Sequence, residues 1–483
     1  MWTKDSHNPN YNPRERTQTV VVNDFSGGLN LADNPSLLKE NQLLTADNFQ
    51  YTPTGGRIET RDGIVAAVRT NGPYPPLASS SYILDVSGGK VLYANSGRLY
   101  NDTPNSGVSA GPIDLLSTSS PPVSVRWGDP DVGTLIASGG KLQYFIGGVL
   151  STIEDSPDCS FVSRLSGRVV IAGTTGSRIY LSGLGDHENW DIEGDTWTDL
   201  DALWIDIGYK SAGNINAITK VNKDLIIFKE DGVVYRMTGD YPDWKVFEVG
   251  HGVRNISSQT ATQLANDVVF LDESFGIYLV SSVNEFGDIR VTEFGREINS
   301  DLLKHLGSGA AIWNLPGRAE LWIKPDTGKK FVYVFNTIHR SWTTFTFPLE
   351  PMSAMTGEGN TYAAFRGEAI NGNGTVVYKL NRSADKEFSS RIQARMELRP
   401  VPSKIGKVLL NRSACDVNGT VLLEGEPPTV TLGANDFTLR EKDADGYSRI
   451  ESYQHLMGDQ IYFHVEVEGK CTIDQLSADV VEV

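Results

Sequence analysis

Cysteine is almost missing from this sequence. Cys159, Cys415 and Cys471 are the only three, odd in number, far apart and never as CxxC. That argues against a disulfide scaffold and reads as reduced thiols in a chain folded in cytosol. Long apolar runs are missing too. No stretch approaches the roughly 18 residues that a spanning helix needs. The opening Met1-Trp2-Thr3-Lys4-Asp5 lacks the apolar core of a secretory signal, so synthesis in the cytoplasm is expected. Positive charge is in deficit, with 43 Lys and Arg against 60 Asp and Glu and a net charge of −17. Such a surface repels phosphate, which counts against a dedicated nucleic-acid binder but leaves room for a passage through which DNA slides without sticking. His7, His187, His251, His305, His339, His455 and His464 never stand at i,i+2 or i,i+4, so no local zinc pair exists. There is no Walker A loop and no GxSxG. Gly27-Gly28 and Gly147-Gly148 read as turns rather than phosphate cradles. No cofactor and no metal are expected.

Glycine is abundant, at 48 of 483 residues, and many short strands joined by tight turns need it. The length suggests about three domains. Residues 1–65 read as an N-terminal arm with a docking hairpin. In it, Leu37 to Leu44 is the best short-helix candidate, with Ser36 as its cap. From 66 to 388, apolar strands alternate with Gly, Asp and Asn turns. One arrangement recurs there, an apolar strand, a turn and a second strand bearing Tyr. Leu225-Ile226-Ile227-Phe228, Asp231-Gly232 and Val233-Val234-Tyr235 illustrate it. The tyrosines are Tyr100, Tyr144, Tyr180, Tyr235, Tyr278, Tyr333 and Tyr378, spaced about 46 residues apart. A period of roughly 40–50 residues with four short strands is the pattern of a β-propeller. The expected fold is all-β, a propeller of six or seven blades. A β-sandwich array is the competitor, because Tyr favours strands in any case.

Residues 389–483 read as a small all-β C-terminal domain with alternating strands such as Ile461 to Glu468. Around its start lie basic residues, among them Lys379, Arg382, Arg391, Arg395 and Arg399. They could line a DNA channel, or serve as an interface or solvated face that complements the acidic C-terminal residues. The second reading is preferred, because Phe388 is the only aromatic nearby for base stacking. Eight carboxylates, Asp186, Glu188, Asp191, Glu193, Asp195, Asp199, Asp201 and Asp206, crowd one stretch without EF-hand spacing, and read as a solvated loop. No blade carries the Asp-box of sialidase-like propellers. The chain is therefore not expected to be an enzyme, and a carbohydrate-binding or carbohydrate-cleaving propeller at a host surface is the alternative.

Three stretches carry a resemblance. The first is Phe25-Ser26-Gly27-Gly28-Leu29-Asn30 followed by Asn48 and by Gly55-Gly56-Arg57-Ile58-Glu59-Thr60-Arg61-Asp62-Gly63. The others are Ile179 to Trp190 and Asn336-Thr337-Ile338-His339-Arg340-Ser341-Trp342. They resemble the opening and two Trp-ended segments of the tail nozzle or tail hub proteins of short-tailed phages, also called packaged-DNA stabilisation proteins. The resemblance implies a hexameric ring in the virion tail, beneath the portal and the tail adaptor. DNA would leave through the ring without sequence-specific binding, and fibre or needle components are possible partners. Phe25, Gly27, Gly28, Asn30, Arg57 and Arg61 are then candidate assembly residues. The glycines supply sharp turns. The hairpin they bracket either docks on a neighbouring subunit or supplies an intramolecular strand that completes a propeller blade.

Overall fold

The computed structural model describes residues 17–53, 55–70, 81–104, 112–116, 119–128, 132–192, 198–208, 213–282, 289–366, 374–387, 390–402, 407–420 and 426–482. Two compact units emerge. One comprises Met1–Ile64, Phe335–Thr346 and Asn381–Val483; the other comprises Val65–Val334 and Phe347–Leu380.

The second unit is a β-propeller. Five consecutive four-stranded antiparallel sheets begin at Ser81–Ser87, Val123–Trp127, Phe161–Leu165, Ile215–Val221 and Ala261–Leu264. A sixth begins at Ala311–Leu315. A seventh runs Pro351–Gly357, Asn360–Phe365 and Gly374–Asn381, and takes its outer strand, Gly63–Thr70, from ahead of the first. Borrowing that strand ties the two ends of the ring by main-chain hydrogen bonds and leaves no free seam. The first strand of each sheet packs against the first strand of the next, and Pro351–Gly357 packs against Ser81–Ser87. Seven blades therefore close the circle, within the expected six or seven.

Second strands are buried along most of their length. Asp224–Lys229 and Arg168–Ala172 expose none of their residues. Such strands read as unbroken apolar runs because both faces meet a neighbouring blade. The apolar clusters lie between blades. One joins Val170 and Leu181 of the third to Ile227 and Met237 of the fourth. Another joins Val91 and Tyr93 of the first to Tyr362, Ala364 and Val377 of the seventh, with Ala67 and Val68 of the borrowed strand. All seven tyrosines of the sequence repeat stand on the third strand of their blade. The turns fit the same logic. Ser96 and Gly97 both have positive φ, 54° and 73°, as the tight hairpin turn that matches strand twist demands.

Among the described residues, the first unit is built mainly from two large sheets. One contains Phe49–Tyr51, Ile58–Thr60, Cys471–Glu482, Val408–Gly419 and Gly446–Ser452, with Thr17–Val22 added along Cys471–Glu482. The other contains Ser341–Thr346, Gln42–Asp47, Gln393–Leu398, Phe463–Glu468, Thr429–Ala434 and Phe437–Asp443. Val22, Ala414 and Leu476 of the first sheet and Leu398, Leu432 and Phe463 of the second line a common apolar gap, so the inner faces make the core. Residues read from sequence as an arm and as a separate C-terminal domain thus belong to one unit, the segments before 65 and after 380 sharing both sheets. Residues 1–16 of the arm lie outside the described residues.

The helix expected from Leu37 to Leu44 is not there. Asn34 caps a single 3-10 turn, Pro35–Leu37, and the chain extends into the strand Gln42–Asp47. Pairing with three other strands along its two edges outweighs helix propensity over so short a stretch. Among the described residues the α-helix that does form, Arg296–His305, follows Gly295 without a side-chain cap and buries Ile298, Asn299 and Leu302.

Candidate functional site

The Gly-Gly opening folds inward. Phe25 is buried, its amide donates to the Gly56 carbonyl at 2.7 Å, and its carbonyl accepts from the Tyr51 hydroxyl at 3.0 Å. Gly28 has φ +63° and pairs in parallel with Gln42. A Cβ there would stand 2.9 Å from Trp342 backbone atoms. Gly27 is similarly confined by Asn41, whose carbonyl oxygen would lie 2.6 Å from an added Cβ. Asn30 is buried and its Oδ1 accepts from the amides of Ala32 and Asp33. Arg57 is half exposed and pairs with Asp474 at 2.9 Å. The hairpin Phe49–Tyr51 and Ile58–Thr60 does not complete a propeller blade: it pairs through Thr472 and Ile473 with Cys471–Glu482 of its own unit. Of the six candidate assembly residues, Arg57 alone combines a charged side chain with an exposed surface. Phe25, Asn30 and Arg61 direct theirs into the unit.

Arg61 is the hub. It is fully buried among polar partners. Nε donates to Asn48 Oδ1 at 2.7 Å, and the terminal nitrogens donate to the carbonyls of Asp62 (3.1 Å) and Thr346 (2.9 Å) and to the Glu387 carboxylate. The Phe345 ring lies 5.9 Å from the guanidinium carbon. Burial raises the pKa of Glu387 above the ordinary carboxylate value, with Arg61 opposing. Burial likewise raises Asp47, against hydrogen bonds from Thr346 and Thr344. Beside this cluster Lys470 Nζ donates to the Thr60 carbonyl (2.7 Å) and to Asp62 (3.1 Å), and Gln50 bridges Glu59 and Asp62. A buried charge persists where hydrogen bonds surround it. Sequence reasoning missed Lys470, Glu387 and Gln50. The available signal was a charged residue next to strand positions that are otherwise apolar, such as Lys470 before Cys471.

The basic residues are mostly paired. Arg382 meets Glu59 (3.3 Å), Arg391 meets Asp385 (3.4 Å), Arg395 meets Glu466 (2.8 Å) and Arg399 meets Glu40 (3.3 Å). Lys379 sits half-buried on a third propeller strand, opposite Tyr362. Four of these five cations therefore answer carboxylates of their own unit, in keeping with electrostatic complementarity.

The Trp-ended segments make loops rigid. Ser182 Oγ accepts from the Val169 amide, and the Trp190 indole donates to the His187 carbonyl at 2.8 Å. Buried Arg168 reaches the carbonyls of Ser182 and Asp201, each at 2.6 Å, and that of Asp199. In the other segment Asn336 Oδ1 accepts from the amides of Ile338 and His339, and Trp342 is buried against Phe335. The acidic stretch uses its carboxylates locally. Asp201 accepts from Thr198 and Asn189, and Asp206 pairs with Arg178 at 2.9 Å. Glu193 and Asp195 lie outside the described residues. Among the described residues no cluster of His, Cys, Asp and Glu is arranged to hold a metal ion, and no helix is long and apolar enough to cross a membrane.

No family model matches the chain, and no curated protein matches it. Among solved structures it is similar to BamB from Moraxella catarrhalis, at 14% identity and TM-score 0.40, covering 70% of this chain and 95% of that one. It is also similar to YCF48 from Cyanidioschyzon merolae, at 12% identity and TM-score 0.42, covering 66% and 99%. The N-terminal domain of Nup159 is a third, at 10% identity and TM-score 0.39, covering 70% and 99%. At such identities a likeness concerns fold alone.

Proposed function

We propose that the chain is a non-enzymatic structural subunit of a short-tailed phage tail, a nozzle or hub. In this reading it forms a homomeric ring, a hexamer on the resemblance, below the portal and the adaptor. The ring continues the DNA channel and helps retain packaged DNA until ejection. The observation that supports this most is the role of Asn48, Arg61 and Gly63 from the family-like opening. They lie at the joint where the segment before residue 65 meets strands from beyond 380. A motif of degenerate, Gly-based residues has a physical reason to persist if it builds the scaffold of an assembly. The acidic surface suits a conduit, because repulsion keeps DNA from adhering to it. Closed rings of identical subunits arise when a heterologous interface closes.

Imaging decides the matter. Electron microscopy of virions with an antibody against this chain should label the tail, and purified protein or the tail complex should give rings with an axial hole. A protein absent from the virion sinks the proposal.

A further inference from the structure

We infer that the propeller carries a binding site for a neutral, hydroxyl-rich ligand, a saccharide, at the junction of its fourth, fifth and sixth blades. This inference stands independently of the tail proposal.

A cavity of about 460 Å³ opens there, lined by Asn216, Glu230, Arg254, Glu273 and the Leu306–Ser308 link among others. Its volume falls in the lower part of the roughly 300–1,000 Å³ usual for small-molecule sites. The fold explains why these side chains meet. Asn216 is near the start of the first strand of blade four. Glu230 and Glu273 directly follow the second strands of blades four and five, Asp224–Lys229 and Asp267–Asp272. Antiparallel order brings the start of a first strand and the end of a second strand to the same end of a blade. Arg254 lies on the link between blades four and five. Hydrogen bonds fix that link, with the Arg254 amide on Asp272 at 2.5 Å and Asn255 Nδ2 on the Ser257 carbonyl at 2.7 Å.

The binding capacity of these groups is left over. Asn216 Nδ2 donates to the Asn255 carbonyl at 2.5 Å, but its buried Oδ1 has no hydrogen-bond partner among the described residues. An unsatisfied buried acceptor is expensive and calls for a partner. Glu230 receives the Asn214 amide nitrogen on Oε2 at 2.9 Å, which leaves Oε1. For the Arg254 guanidinium and the Glu273 carboxylate there is no ion pair among the described residues, unlike Arg236 with Asp224 in blade four. All four groups are planar forks, able to engage adjacent hydroxyls in pairs.

Charge selects the ligand class. An anion meets Glu230 and Glu273, and a cation meets Arg254. A neutral polyol avoids both repulsions, because each hydroxyl donates to a carboxylate or amide oxygen and accepts from the guanidinium. Ile256 and Leu306 supply apolar contact for a ring face.

The test uses the full chain. Saturation-transfer NMR and calorimetry are run with maltose, cellobiose, lactose and sucrose, and with gluconate and spermidine as charged counter-probes. The expected result is saturable binding of at least one neutral disaccharide, weakened about tenfold or more by Arg254→Ala and by Glu273→Gln. Both positions are exposed, so unchanged melting curves should verify their folding. Three results would overturn the site: no neutral disaccharide saturates, binding survives both substitutions, or gluconate or spermidine binds more tightly than every disaccharide.

Discussion

Arg61 Nε donates to Asn48 Oδ1 at 2.7 Å, and Asn48 Nδ2 donates in turn to the Gln393 carbonyl at 2.8 Å. The same Oδ1 also accepts the Thr346 amide at 2.9 Å. One asparagine therefore ties three distant stretches of the first unit, and it does so at φ +58°, a conformation Asn tolerates better than most residues.

Arg61→Ala should destabilise the first unit by about 3–5 kcal/mol, the range for removing one partner of a buried, hydrogen-bonded ion pair. Glu387 would lose the cation that opposes the effect of its burial, and a void would stand beside it. Urea unfolding followed by a probe in this unit measures it. Arg61→Lys should recover only part, since an ammonium cannot reach Asn48, Thr346 and Glu387 together in the plane of a guanidinium. Full stability in Arg61→Ala would remove Arg61 from its central role.

Gly28→Ala tests the close approach behind the Gly-Gly opening. The substitution adds a Cβ at 2.9 Å from Trp342 backbone atoms at φ +63°, so backbone rather than a flexible side chain must yield. A loss of about 2 kcal/mol or more is expected from strain and overpacking together. Gly55→Ala has open space around its Cβ and should lose only the left-handed penalty, about 1–2 kcal/mol. Comparing the two melting temperatures isolates the clash.

These two glycines mark how much could be read from sequence. The propeller was legible because Tyr100 to Tyr378 fall on successive third strands, and a period near 46 survives irregular loops. The joining of chain ends was not legible. Antiparallel pairing of Thr17–Val22 with Cys471–Glu482, and of Gln42–Asp47 with Gln393–Leu398, links stretches with no common period. Leu37 to Leu44 looked helical by local propensity, yet Leu43 is buried between strands, opposite Leu398. The leftover acceptor of Asn216 had no sequence signature, since only packing decides whether an amide finds partners.

Glu358 makes a clasp where the propeller ring closes. Its carboxylate accepts from the amides of Gly88 at 2.6 Å and Gly89 at 2.9 Å, joining the hairpin tips of the seventh and first blades. Glu358→Ala should speed amide exchange at Gly88 and Gly89 selectively, with little change in global stability, because the contact is solvent-exposed. Exchange rates equal to those of the unaltered protein would show that the clasp does not hold in solution.

Two half-buried carboxylates, Asp47 and Glu451, respond to pH in opposite directions. Burial raises Asp47 above 3.8, so its proton binds more tightly in the folded state. Its contribution is fully present below the unfolded pKa and is lost as pH rises through the folded pKa. Asp47→Asn should therefore gain stability relative to the unaltered protein as pH rises from about 4 to 7, less any loss from its Thr344 and Thr346 bonds. Glu451 is held down to about 2, first by Arg412 and then by Arg449. Its contribution is present above the unfolded pKa and is lost as pH falls through the window between 4.5 and about 2. Glu451→Gln should flatten that acid limb. Melting temperatures across both windows check the two signs.

The three thiols report separately on the two units. Cys159 lies in the propeller, and Cys415 and Cys471 lie in the other unit; all three are buried. Burial pushes Cys159 and Cys471 up to about 12 and Cys415 well above its usual value, so the reactive thiolate is scarce and shielded. Labelling by a thiol reagent at neutral pH should thus wait for local or global opening. In Arg61→Ala, Cys415 and Cys471 should label faster while Cys159 keeps its original rate, because the lost partners all lie in the first unit. Peptide-level mass spectrometry resolves the three sites. Equal acceleration at Cys159 would mean that the two units open as one cooperative body, and the Arg61 cluster would then govern the stability of the whole chain.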